Sequence, residues 1–435
     1  MHRRNWLSFV LLVVIAFAAL PLQHLAAASA APKGPITFYT FGDATEKAAY
    51  DSLVAAFNQK YPDVQVKLVH TPGEDEFKFG DQEDAYRERL SLDFASNKPP
   101  DVFLMNYREY GIFSSKNALD PAGPYLDKST VIKPADFYAE ALAPFTRNNV
   151  LDCVPQNASG TVVYYNKDLF DKASVAYPKA DWTWDDFLAA AQKLTVKGEG
   201  NNAQYGVVVQ PDFTRLMPFI WQNGGEIVDN ADAPTKLTLD SKEATAAFEF
   251  FVELQTKQHV TPDEAQSRAM SITDRFLSGK AGMLIFSHRI VPSLRQAKFD
   301  WDVAPLPQSK KAATLLFSDG YCMAKAGQNK DAAWALIEFA NSPEGQTILA
   351  KSGRSVPSLK AVAQSPAFLD PNARPKNNQI FLDMIATART SPKLGNWADI
   401  EETVNRHLEE SFYGVDPVDE SIDMILKESQ DMFKQ

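Results

Sequence analysis

Two apolar rhythms follow one another between residues 36 and 68, and their order limits the fold more than any other feature of the chain. Ile36, Phe38 and Thr40 alternate with Thr37, Tyr39 and Phe41, the period-2 pattern of a strand. Gly42-Asp43 breaks it, and Tyr50, Leu53, Val54 and Phe57 then recur at helical spacing until Pro62. Val64, Val66 and Leu68 alternate again. Strand–helix–strand is the unit of a parallel α/β sheet.

The alternation continues downstream. Val102–Met105, after Pro99-Pro100-Asp101, reads as a short buried strand, and Thr161–Tyr165 as another. Thr183-Trp184-Asp185-Asp186 has the form of a capping box, with Thr183 as N-cap and Asp186 three residues on. Trp184, Phe187, Leu188 and Ala191 give that helix its apolar face. Asp331–Ala340 reads as a helix, and Ser342-Pro343-Glu344 starts the next, which Gly353 closes. Beyond residue 375 the pattern is helical to the end. No Gly-, Ser- or Pro-rich linker divides the chain, so two lobes would be joined by ordinary strands.

The first thirty residues stand apart. His2, Arg3 and Arg4 precede the apolar run Trp6–Leu20, and Ala28-Ser29-Ala30 supplies a small-x-small cleavage pattern. This is the form of a secretory leader. A membrane anchor is the weaker reading, because a spanning helix needs about 20 apolar residues and this run meets Pro21, Gln23 and His24. Without the leader about 405 residues remain, more than one core comfortably organises, so two lobes are expected. No Cys lies near the cut to carry a lipid. The expectation is a free monomer in the periplasm of a two-membrane bacterium. Its formal charge of −11 becomes about −13 once Arg3 and Arg4 are gone, which argues against nucleic acid and anionic membranes as partners.

The chain has two cysteines, Cys153 and Cys322. In an oxidising compartment they are a candidate disulfide, or else two buried thiols acting as small hydrophobes. His70, His259, His288 and His407 are scattered, and HExxH, CxxC and Cys/His clusters are absent. No metal site and no cofactor is therefore expected. Ser278-Gly279-Lys280-Ala281 lacks Walker spacing, and no GxGxxG follows a strand and no GxSxG elbow occurs. Asp185/Asp186 and Glu401/Glu402 are pairs of the kind found on solvated helix faces, not a glycosidase acid/base pair. No catalytic residue is expected.

Ordered segments carry a family resemblance. They include Phe41-Gly42-Asp43, Tyr61-Pro62-Asp63-Val64, Pro99-Pro100-Asp101-Val102-Phe103 and Tyr164-Tyr165-Asn166-Lys167-Asp168-Leu169-Phe170. Trp182-Thr183-Trp184-Asp185, Gln222-Asn223-Gly224-Gly225, Gly279-Lys280-Ala281-Gly282-Met283, Trp301 through Pro307 and Ser342-Pro343-Glu344-Gly345 follow. The chain resembles the extracellular solute-binding proteins, family 1, of carbohydrate-importing ABC transporters. The resemblance covers nearly the whole chain after the leader. It implies a two-lobed α/β periplasmic-binding-protein fold with discontinuous lobes, crossing hinge strands and a helical C-terminal tail. The N-lobe would be 32–152 plus 321–369 and the C-lobe 156–317 plus 373–435, with hinges near 153–156, 317–322 and 370–372. The implied function is capture of a sugar or oligosaccharide between the lobes and its delivery to membrane permease subunits. Both cysteines fall on crossing segments that run side by side in the family. This implies a Cys153–Cys322 bond contributing roughly 4 kcal/mol in the chain-entropy picture, with two adjacent thiols as the alternative.

A neutral polyhydroxy ligand needs polar side chains for its hydroxyls and flat apolar faces for its C–H surfaces. The resemblance brings Phe41, Asp43, Tyr86, Asn106 and Tyr107 to the cleft from the N-lobe, and Asn157 and Ser159 from the first crossing. It adds Trp221, Gly224 and Ser287 from the C-lobe, Phe317, Asp319 and Gly320 from the return crossing, and Arg354. Each has a plainer reading: Trp221 as core, Tyr86 as a helix's apolar face, Arg354 as a surface cation, Phe41 as sheet closure. Ser287-His288-Arg289 stands where many relatives carry a Trp platform. Lys393-Leu394-Gly395-Asn396 is similar to the glycerol-phosphate-binding branch, in which Arg354, Arg289 and Lys393 would face a phosphate. A periplasmic carbohydrate-active enzyme is the rival from another class, and docking to a chemoreceptor would add to binding.

Overall fold

A computed structural model describes residues 31–72, 81–198 and 203–434, and the expected leader, 1–30, lies outside them. The opening strand–helix–strand forms as its rhythm predicts. Gly34–Gly42 and Val64–Pro72 pair in parallel, from Gly34↔Val64 to Gly42↔Pro72, on either side of helix Ala44–Lys60. In chain order the strands are β1 (Gly34–Gly42), β2 (Val64–Pro72), β3 (Val102–Asn106), β4 (Leu119–Asp120), β5 (Thr146–Arg147), β6 (Val150–Leu151) and β7 (Cys153–Pro155). Then come β8 (Ser159–Asn166), β9 (Tyr205–Val208), β10 (Ala281–Ser287), β11 (Trp301–Pro305), β12 (Thr314–Phe317), β13 (Asp319–Ala324) and β14 (Ala388–Arg389).

Two mixed sheets result. The first has the order β2-β1-β3-β13-β4, with β7 also pairing β13, and the second β14-β12-β8-β10-β9, with β11 also on β8. β8 is buried along its whole length, as a strand covered on both faces must be. Each sheet has its own core. Phe38, Phe57, Phe103 and Tyr321 lie in the first, Tyr164, Trp221, Trp301 and Trp397 in the second. The fold is thus α/β with two cores, as expected.

The chain passes from the first sheet to the second between β7 and β8, and returns between β12 and β13 through Ser318. Leu359 and Val362 pack in the first core, whereas Val356, Ala363 and Phe368 pack in the second. Ala367 packs on the first core again, so residues of the two cores interleave over 356–368. Helices Trp397–Phe412 and Val418–Ser429 supply the helical tail. Its expected helical pattern is interrupted at β14, which pairs parallel with β12 through Thr314↔Ala388. A two-residue strand is too short to show a period.

Cys153 and Cys322 are opposite each other in the β7–β13 register, wholly buried, and joined as a disulfide. Among the described residues no helix is long and apolar enough to cross a membrane.

Candidate functional site

The crossings lay down the floor of a cleft. Asp319 opens β13 directly after the return passage. Asn157 Nδ2 donates to its Oδ2 at 3.0 Å and Asn106 Nδ2 to its Oδ1 at 3.2 Å. Asp319 backbone N–H donates in turn to Asn157 Oδ1 at 3.0 Å. Three polar side chains from the end of β3, the first crossing and the start of β13 thereby fix one another's orientation. Gln156 lies beside them and donates from Nε2 to the hydroxyls of Tyr50 and Tyr321, each at 2.9 Å. Burial pushes both phenols above their ordinary pKa, so they stay neutral.

The walls combine aromatic and small polar groups. Phe41 is the last residue but one of β1 and Phe317 ends β12, and Ser159 and Ser287 open β8 and close β10. The Arg215 guanidinium sits 5.9 Å from the Phe317 ring centre, within cation–π range. Counting its open mouth, the cleft holds about 780 Å³.

Charged groups also line the cleft. Arg289, just after β10, donates from Nη2 to Glu46 Oε2 at 3.0 Å. Arg354 donates from Nη1 to the Arg289 carbonyl at 2.6 Å and pairs with Asp43. Burial lowers the Arg354 pKa to about 10, which leaves it protonated at neutral pH.

Eight of the fourteen expected residues meet in this cleft: Phe41, Asn106, Asn157, Ser159, Ser287, Phe317, Asp319 and Arg354. Asp43 adjoins it as N-cap of helix Ala44–Lys60 and partner of Arg354. The others serve as support. Tyr86 is buried behind Phe41, ring centres 4.8 Å apart, and its hydroxyl donates to the Leu104 carbonyl at 2.7 Å. Tyr107 is buried, with its hydroxyl 3.4 Å from Ser391 Oγ. Trp221 belongs to the second core, in a helix, Phe213–Gln222, buried on every side, and the Arg389 guanidinium covers its ring at 4.8 Å. Gly224 ends that helix at φ 84°, a left-handed turn that suits glycine. Gly320 lets β13 pass Phe145, whose ring a Cβ there would meet at 2.8 Å. Lys393 is not among the residues that line the cleft, and its Nζ donates to the Ala143 and Thr146 carbonyls, each at 2.7 Å.

Sequence reasoning missed Glu46, Tyr50 and Gln156. Glu46 had a legible signal: it stands three residues after Asp43, the capping-box spacing, next to a glycine-broken strand.

His288 lies just behind the wall, edge-on to Phe381 at 4.5 Å and near Phe368 at 5.3 Å. Burial lowers its pKa to about 3, against a smaller opposing effect of its hydrogen bond to the Arg354 backbone. The unfolded imidazole takes up a proton near pH 6.5 and the folded one does not, so stability falls as the pH drops from about 6.5 toward 3. The slope from this one residue reaches about 1.4 kcal/mol per pH unit. Urea unfolding of His288→Gln between pH 6 and 4 is expected to show that slope removed, and an unchanged slope would refute it.

A polar and aromatic cleft between two α/β cores joined by crossing strands is the architecture of a bilobal binding protein. The chain belongs to the bacterial extracellular solute-binding protein family, whose description matches residues 42–347. It is 24% identical over 400 residues to the maltotriose-binding protein of Pyrococcus abyssi, covering 89% of this chain and 79% of that one. It is also similar to an ABC substrate-binding protein of Listeria monocytogenes in complex with cycloalternan. That match has TM-score 0.81 and 26% identity, and covers 92% of this chain and 98% of that one. UgpB of Mycobacterium tuberculosis, in complex with glycerophosphocholine, shares the fold at TM-score 0.78 and 21% identity, over 92% and 99% of the two chains.

Proposed function

We propose that this protein is the solute-binding component of an ABC importer, and that it captures a sugar or oligosaccharide in the cleft and hands it to membrane permease subunits. The observation that carries this reading is the pairing of Phe41 and Phe317 with Asn106, Asn157, Asp319, Ser159 and Ser287 around one space. Carboxylate and amide oxygens accept from hydroxyls, amides donate to them, and the rings cover C–H faces. The maltotriose and cycloalternan named for two relatives are of this chemical class. The two cores act as lobes that close on the ligand about Gln156–Ala158 and Ser318, so binding shifts the population toward the closed form. The protein works in the periplasm after loss of its leader, without a lipid anchor, and alters no bond of its ligand.

The test is native mass spectrometry of protein freshly purified from its source. A bound mass matching a saccharide is expected. A phosphorylated solute would replace this reading with the glycerol-phosphate one, which Arg289 and Arg354 in the cleft favour. Conversion of the bound solute to a product would replace it with an enzyme. Neither guanidinium stands alone, however, since each already has a carboxylate beside it.

A further inference from the structure

We propose that Glu46 is a specificity determinant: it is a counter-ion built into the cleft that neutralises Arg289, so that the cleft accepts an uncharged solute and turns away phosphate. This deepens the reading of the cleft as the ligand site and rests on it. Arg289 follows β10 of the second sheet, and Glu46 lies in a helix that packs on the first core. Their 3.0 Å pair spans the cleft and is only partly exposed, with side chains 26% and 20% accessible. A phosphate entering there would have to displace or sit against a carboxylate in a poorly solvated space, where like charges repel strongly. Asp43 does the same for Arg354, whose guanidinium is nearly buried. With Asp319 on the floor, three carboxylates face two guanidiniums around the space.

The same two carboxylates hold the helix start. Asp43 Oδ1 accepts from the backbone N–H of Thr45 and Glu46, at 2.8 and 2.9 Å. Glu46 Oε2 accepts from Asp43 N–H at 2.9 Å, and the same oxygen accepts from Arg289. Glutamine completes a capping box as glutamate does, and asparagine caps as aspartate does. Glu46→Gln therefore removes the charge and keeps both the cap and an acceptor for Arg289.

Calorimetric titration of the exported chain with inorganic phosphate and sn-glycerol 3-phosphate tests the proposal. Glu46→Gln is expected to bind phosphate at least about tenfold more tightly than the wild type, and adding Arg289→Gln should abolish that gain. Wild-type binding of phosphate as tight as the variant's, or a gain that survives Arg289→Gln, would overturn it. If Glu46→Gln does not fold by circular dichroism, Asp43→Asn gives the same readout through Arg354. A saccharide panel run in parallel on the wild type separates the two ideas. No saccharide bound, with the phosphate gain present, would sink the sugar reading and leave the charge filter standing.

Discussion

Replacing Cys153 and Cys322 together by alanine is expected to lower the unfolding free energy by about 5 kcal/mol in the chain-entropy picture. The bond ties positions 169 residues apart, so it removes a large set of conformations from the unfolded chain. Both sulfurs are wholly buried on neighbouring strands, and the two alanines also leave a small unfilled volume. The expected signature is a lower urea midpoint for the variant than for the oxidised wild type, with near-native circular dichroism before the transition. Equal midpoints would mean that the bond contributes nothing to stability.

Asp319→Ala is expected to weaken binding of the native solute at least about a hundredfold, or about 2.7 kcal/mol. The substitution takes away an acceptor on the cleft floor. It also takes an acceptor from the amides of Asn106 and Asn157, which both donate to that carboxylate. Asn106 is buried, and a buried donor left unpaired costs about 1–3 kcal/mol, while both side chains lose a contact that aims them. Titration with the solute recovered from the purified protein gives the readout. An affinity within about threefold of the wild type would mean that the ligand does not use this floor.

The elements legible in the sequence are those whose signal is local. The opening strand–helix–strand is one, and the capping box of Thr183 and Asp186 is another, with Asp186 N–H donating to Thr183 Oγ1 at 3.2 Å. Ser342, whose Oγ accepts from Gly345 N–H, starts its helix as expected. The cleft residues on the crossings, Asn157, Ser159, Phe317 and Asp319, follow from family order alone. Trp221 shows the limit. Its helix is buried on all sides, so nothing in its spacing separates a core ring from a pocket ring. Tyr86 sits one layer behind Phe41, a distinction that only packing makes. Arg289 meets a glutamate 243 positions away, and no local pattern announces such a partner.

The place of β13 in the first sheet constrains the newly made chain. β13 sits between β3 on one side and β4 and β7 on the other, yet residues 319–324 are synthesised long after all three. Until they emerge, β3, every residue of which is buried in the finished protein, has no neighbour on that edge. A bare apolar strand edge is a template for pairing with other chains. Completing this sheet therefore requires a pairing between segments far apart in the chain, and such long-range closure slows folding.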